Sequence, residues 1–300
     1  MQVSTLSALR WASVLFGCVL CAAGQTAPPA TDIWLVDLPQ RAGQRALGTP
    51  VNFTNRPGYD NQPSFTPDGK HILFTSQREN DQTDIYAYEL TTRQTTRLTS
   101  TSESEYSPTV TPGQKSFSVI RVEADKTQRL WQFPRAGGTP TLLLPALKPV
   151  GYHLWLDKHR LALFVLGQPN TLQLADTRTG QAAVLAQSIG RALHRIPGQP
   201  NQFSFVHKAE KEWWVKAYDL KTQEITPLIK TLPRSEDCAW LPDGTLLMAQ
   251  GSQLFQWQRG KDKDWQLIAD LAAAGIGNIT RLAVNAKGDK LALVAQSPAK

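Results

Sequence analysis

The sequence predicts an all-β protein: a six-bladed β-propeller whose blades are four-stranded antiparallel sheets. Three observations predict it. A unit built around a short apolar hairpin recurs six times. Its turns at Pro67, Pro112, Asp157, Pro197, Pro242 and Ala286 lie 40 to 45 residues apart, the length of one propeller blade. Gly and Pro each occur twenty times, so breaks come too often for long helices. The two ends of the repeat region each carry half a unit, and together they complete the sixth.

Residues 1–24 read as a secretory signal. Arg10 supplies a short basic region, and the run Trp11–Ala23 is apolar but too short to span a bilayer. Ala22-Ala23-Gly24 then offers small residues for cleavage near Gly24. A lipoprotein signal at Leu15-Phe16-Gly17-Cys18 is the rival. The bulky Phe16 and the apolar stretch after Cys18 count against it. Cleavage predicts a periplasmic or secreted protein with no transmembrane segment left. Residues 25–31, "QTAPPAT", are a linker, and residues 32–300 form one propeller domain. Cys18 and Cys21 fall in the signal and leave Cys238 alone. No intramolecular disulfide or cysteine-based metal site follows, and Cys238 reads as a small buried apolar residue.

The repeat is sharpest at "PSFTPDGKHILFTSQ" (Pro63–Gln77) and "CAWLPDGTLLMAQG" (Cys238–Gly251). It is clear at "PTVTPGQKSFSVIRV" (Pro108–Val122) and "LAVNAKGDKLALVAQ" (Leu282–Gln296), and weaker at His153–Val165 and Leu193–His207. In each copy apolar residues alternate on either side of a turn. In the first, Phe65 precedes Pro67-Asp68-Gly69, and Ile72 and Phe74 follow it. Asp68 and Asp243 read as turn residues that accept local backbone hydrogen bonds. Asp32 and Asp84, just before third strands, read as structural side-chain-to-backbone contacts.

Third strands follow at Asp84–Leu90, Arg129–Pro134, Thr171–Thr177, Trp214–Leu220 and Gln253–Gln258, each with a fourth strand after it. The hairpin ending at Gln296 has neither. Asp32–Leu38 and Arg45–Thr54 have the missing form, so N-terminal strands are expected to complete the last blade and close the ring, which removes exposed sheet edges. Only "DLAAAGIGN" hints at helical spacing.

The repeat Pro-x-Phe/Trp-x-Pro-Asp-Gly, followed by an apolar strand and then Asp-Ile-Tyr/Trp, resembles the TolB-type propeller repeat of bacterial envelope proteins. The resemblance covers Asp32 to Gln296 and implies a six-bladed propeller. The α/β domain that precedes the propeller in TolB proper has no counterpart in this reading.

The formal charge is +7, and residues 1–24 contribute only Arg10 to it. No Lys/Arg block of the kind that neutralises adjacent phosphates occurs, so nucleic acid is not an expected partner. There is no Gly-x-Ser-x-Gly elbow and no phosphate-cradling Gly-x-x-x-x-Gly-Lys, and "GIGNIT" (Gly275–Thr280) lacks the third glycine of a dinucleotide loop. The five histidines show no His-x-His or helical His-x-x-x-His spacing. No catalytic residue, metal ligand or cofactor is therefore predicted.

The segments that precede the first strands should ring one mouth of the channel. They contain Asp60-Asn61-Gln62, Glu105-Tyr106-Ser107, Gly151-Tyr152-His153, Arg191-Ala192-Leu193, Glu236-Asp237 and Thr280-Arg281. Loops are polar simply because they meet water, but this ring also has the mixed charge and Tyr content of a recognition surface. The predicted ligand-binding residues are Asp60, Glu105, Tyr152, His153, Arg191, His194, Asp237 and Arg281. The adjacent Trp213 and Trp214 must point to opposite sheet faces, one a core residue and the other a candidate anchor on the outer rim.

The reading is a non-catalytic, monomeric binding propeller for an envelope or secreted protein or a glycan. The alternative is a metal-assisted polysaccharide lyase or hydrolase using axial His, Asp and Glu residues, and a third reading is a rigid structural disc.

Overall fold

The computed structural model describes residues 29–38, 40–41, 44–45, 47–79, 81–208 and 211–297. The predicted signal, with Cys18 and Cys21, and most of the predicted linker lie outside the described residues. Six four-stranded antiparallel sheets form a ring, each with its strands in the order inner to outer. Blade 1 contains Asp60–Phe65, His71–Gln77, Thr83–Glu89 and Thr95–Arg97. Blade 2 runs from Ser104–Val110 to Thr141–Leu143, and blade 3 from Val150–Trp155 to Ala182–Gln187. Blade 4 runs from Ile189–Arg195 to Ile225–Lys230, and blade 5 from Cys238–Trp240 to Gln266–Asp270.

Blade 6 joins the two ends of the described chain. Arg281–Val284 and Lys290–Gln296 are completed by Thr31–Asp37 and Val51–Asn52. Thr31–Asp37 pairs along its whole length, from Thr31 opposite Gln296 to Asp37 opposite Lys290. The outer strand is shorter than the Arg45–Thr54 segment suggested. Pro50 has no N–H to lend to a ladder, and Gly48 N–H closes instead on the Asp37 carbonyl at 2.8 Å. The hint of helix at "DLAAAGIGN" is one 3₁₀ turn, Ala272–Ala274.

The turns close as their sequences dictate. Asp68 Oδ1 accepts the Lys70 N–H at 3.0 Å and the Thr66 hydroxyl at 2.6 Å, while Gly69 takes the positive φ of +67° that the turn requires. Asp32 and Asp84 reach the backbone through an intermediary threonine rather than directly. Thr54 Oγ1 donates to Asp32 Oδ1 at 3.3 Å and accepts the Ile33 N–H at 2.9 Å. Thr99 Oγ1 does the same between Asp84 (3.2 Å) and Ile85 N–H (2.9 Å).

The alternation of each strand puts apolar side chains on both faces of each blade, because both face another blade. Among the described residues the core therefore divides into six apolar clusters, one per seam. The seam between blades 6 and 1 packs Ile33, Ala292 and Val294 against Ile72, Phe74, Tyr86 and Tyr88. Serines tie two other seams. Ser118 Oγ receives the Trp155 indole N–H at 2.9 Å, and Ser204 Oγ receives that of Trp240 at 2.9 Å. Cys238 is free and buried in the seam between blades 4 and 5.

Candidate functional site

The six inner strands line an axial cavity of about 380 Å³, to which every blade contributes side chains. Two further cavities open at the end where these strands begin. One of about 750 Å³ lies over blades 1 to 3, lined by Tyr59, Tyr106 and Tyr152. One of about 400 Å³ lies over blades 4 to 6, lined by Arg191, Glu236, Asp237 and Arg281. The axial cavity shares Gln62 and Tyr152 with the first and Arg191, Asp237 and Arg281 with the second, so the three form one cleft across the mouth.

Irregular backbone aims these side chains. The inner strands of blades 1 to 4 each slip register by a bulge. Gln62 (φ +56°) and Ser107 (φ +54°) sit in the left-handed region that non-glycine residues seldom enter. They support each other: Gln62 Oε1 accepts the Ser107 N–H at 2.7 Å and the Thr75 hydroxyl at 2.9 Å.

Of the sequence-predicted residues, Tyr152, Arg191, Asp237 and Arg281 come together although they stem from four blades. Arg281 Nη2 donates to the Tyr152 hydroxyl at 2.8 Å, and its guanidinium lies over the Tyr152 ring, 5.2 Å from the centroid. Asp237 spends Oδ1 on the Leu282 N–H at 2.8 Å. Its Oδ2 stands 3.6 Å from Arg191 Nε and 3.8 Å from Arg281 Nη1. Arg191 also donates to the Thr280 carbonyl at 2.8 Å and pairs with Glu236 at 3.2 Å, which in turn holds Lys208 at 3.1 Å. His194 lines the axial cavity beneath, half-buried. Burial lowers the affinity of its imidazole for a proton, and Asp237 opposes that shift.

Asp60, Glu105 and His153 lie apart from this group. The Asp60 carboxylate is fully buried against Arg56 at 2.9 Å, and burial raises its pKa. Glu105 is equally buried. Its Oε1 accepts the Thr101 hydroxyl at 2.5 Å, and Arg121 stands at 3.5 Å; burial pushes its pKa up to about 7. His153 borders the axial cavity from the seam between blades 2 and 3, with Nε2 2.7 Å from Ser118 Oγ. Burial lowers its pKa to about 4.

Sequence reasoning passed over Tyr59 and Tyr106 as site residues. Each is the immediate neighbour of an acid that it chose, and period-two alternation puts Tyr106 on the face opposite Glu105. Burial holds the Tyr59 hydroxyl well above the ordinary tyrosine range, with Arg281 acting against it. Both rim tryptophans are half-buried, with the Lys208 ammonium 4.1 Å from the Trp213 ring centre and Lys230 5.6 Å from that of Trp214. Among the described residues, no group of three or more His, Cys, Asp or Glu is placed to hold a metal ion. No helix among them is long and apolar enough to cross a membrane.

No protein-family model and no curated protein sequence matches the chain. Solved structures match its fold. A putative TolB from Agrobacterium tumefaciens is 13% identical, with a TM-score of 0.69 over 91% of this chain and 100% of that one. TolB from Acinetobacter baumannii is 14% identical, with a TM-score of 0.57 over 90% of this chain and 65% of that one. An oligogalacturonate lyase from Vibrio parahaemolyticus is 13% identical, with a TM-score of 0.50 over 89% and 98% of the two chains. At these identities the likeness is one of fold: a TolB-like six-bladed propeller.

Proposed function

We propose that this TolB-like propeller is an exported, non-catalytic binding protein that holds a protein partner or an envelope polymer at its channel mouth. One observation carries the reading. Tyr152 and Arg281, 129 residues apart, meet by a direct hydrogen bond at the edge of a cleft to which all six blades contribute. A ring of packed sheets fixes that geometry before any ligand arrives, which lowers the ordering cost of binding. Tyr and Arg are also the residue types in which interface energy concentrates.

The second reading is a metal-assisted polysaccharide lyase or hydrolase, and the likeness to an oligogalacturonate lyase favours it. It needs His153 and His194 to converge with carboxylates. Both histidines line the axial cavity, but Nε2 of His153 is engaged with Ser118 Oγ at 2.7 Å, which favours the binding reading.

The test begins with a partner captured from the native envelope. Tyr152→Ala or Arg281→Ala should each weaken its binding about 10- to 100-fold, the loss typical of a central interface anchor. Both variants should keep a cooperative thermal transition. If mouth variants bind normally while Trp213→Ala or Trp214→Ala abolishes binding without unfolding the protein, the rim is the site.

A further inference from the structure

Resting on the reading of the mouth as a ligand site, we propose that the ligand presents a carboxylate to it. The subsite is donor-rich and lies where the axial cavity adjoins the two mouth cavities, around Tyr59, Tyr152, Arg191 and Arg281. The observation behind this is a shortage of acceptors at Arg281 and at Arg191 Nε, the terminal nitrogens of Arg191 being met by the Thr280 carbonyl at 2.8 Å and Glu236 at 3.2 Å. Among the described residues, the one hydrogen bond that Arg281 makes through its guanidinium goes to the Tyr152 hydroxyl rather than to a carboxylate. Its nearest carboxylate oxygen, Asp237 Oδ2, is 3.8 Å away, beyond hydrogen-bond length. The same oxygen is all that Asp237 offers Arg191, at 3.6 Å, and Arg191 Nε is buried without a hydrogen bond. One carboxylate oxygen thus faces two guanidiniums and bonds neither.

Tyr59 adds to the surplus. Its hydroxyl has no partner among the described residues, and burial keeps it protonated, so it is available only as a neutral donor or acceptor. Arg281 and Arg191 are both near enough to act on its ionisation. Arg191 Nε is buried and Arg281 is largely so, and a charged donor that lacks a matching acceptor is costly to keep; an incoming anion relieves that cost. A carboxylate suits the site because a guanidinium fork offers it two parallel N–H bonds.

The rest of the ligand would lie over the larger cavity. That lining is nearly free of net charge: three tyrosines, neutral Gln62, Gln77, Ser104 and Gln128, and the oppositely charged Asp81 and Lys126. Specificity for charge is therefore confined to the junction.

The probes are sodium acetate, N-acetylglycine and galacturonate, with acetamide and sodium chloride as controls, at constant ionic strength. Binding is read from the arginine Nε–H and backbone amide resonances of the ¹⁵N-labelled protein. The expected result is saturable shifts of Arg191, Arg281 and Leu282 with carboxylates and none with acetamide. Arg281→Gln and Arg191→Gln should each weaken the acetate response at least about tenfold, and Tyr59→Phe should weaken it several-fold, as loss of hydrogen bonds to a charged group does. Tighter binding of N-acetylglycine or of galacturonate identifies a peptide or a sugar-acid source respectively. Equal shifts with chloride, or an acetate response unchanged in Arg281→Gln, overturn the proposal. An envelope partner that depends on Tyr152 but is not displaced by acetate overturns it too, while leaving the mouth as the binding site.

Discussion

Ile33 is the residue through which ring closure can be measured. It lies in the strand that blade 6 takes from the N-terminal side, is fully buried, and packs into the seam with Ile72, Phe74, Ala292 and Val294. Ile33→Ala removes three carbons. At about 0.8 kcal/mol per buried methylene the lost transfer energy is about 2.4 kcal/mol. The cavity left in a seam held by paired strands raises the cost to about 3–4 kcal/mol. For a domain of this size each kcal/mol lowers Tm by about 2–4 °C, so calorimetry should find a fall of about 6–16 °C in a single transition. Val51→Ala, in the outer strand of the same blade and 52% exposed, is the control and should change stability by less than about 0.5 kcal/mol. Deleting residues 32–54 should abolish cooperative unfolding altogether or cause aggregation. An Ile33→Ala protein that melts within about 1 °C of the parent would show that the N-terminal strand is an appendage and that the seam between blades 6 and 1 holds without it.

Stability should depend on pH through buried groups of opposite sign, Glu105 and His153 among them. Glu105 has a folded-state pKa near 7, above its ordinary value, so its contribution is full below about pH 4.5 and is lost as pH rises through 7. His153 has a folded-state pKa near 4, below its ordinary value, so its contribution is full above about pH 6.5 and is lost as pH falls toward 4. Between those limits the slopes oppose each other, and urea midpoints of the parent should change little. Relative to the parent, Glu105→Gln should tilt the profile toward stability rising with pH across that window, and His153→Gln should tilt it toward falling. Identical profiles for the two variants would contradict both assignments. For export, intact mass of the protein recovered outside the cytoplasm should correspond to a chain beginning at Gln25, with no lipid. A chain that keeps residues 1–24, or diacylglyceryl on Cys18, would refute this.

The six-bladed ring was legible from the residues because each blade is a local object. Turn residues such as Asp68-Gly69, alternation such as Phe65, Ile72 and Phe74, and strand spacing all act within about 45 residues. Closure by Asp32–Leu38 was legible as well, since half a blade at each end of the repeats leaves little else for those strands to pair with. The mouth was only half legible. Tyr152, Arg191, Asp237 and Arg281 could be named because they precede inner strands, but nothing local told Tyr106 from Glu105 or Tyr59 from Asp60. That choice depends on which way each inner strand is turned. Bulges at Asn61–Ser64 and near Ser107, and a hydrogen bond from Ser107 to Gln62 across two blades, set the turn. Tertiary structure also decided the fate of the ionisable groups. Whether a carboxylate is a ligand contact or a buried partner of Arg56 or Arg121 depends on how much water reaches it, and neighbouring blades fix that. Periodicity reports which residues belong to a strand; the orientation of a strand within a closed ring is a property of the whole ring.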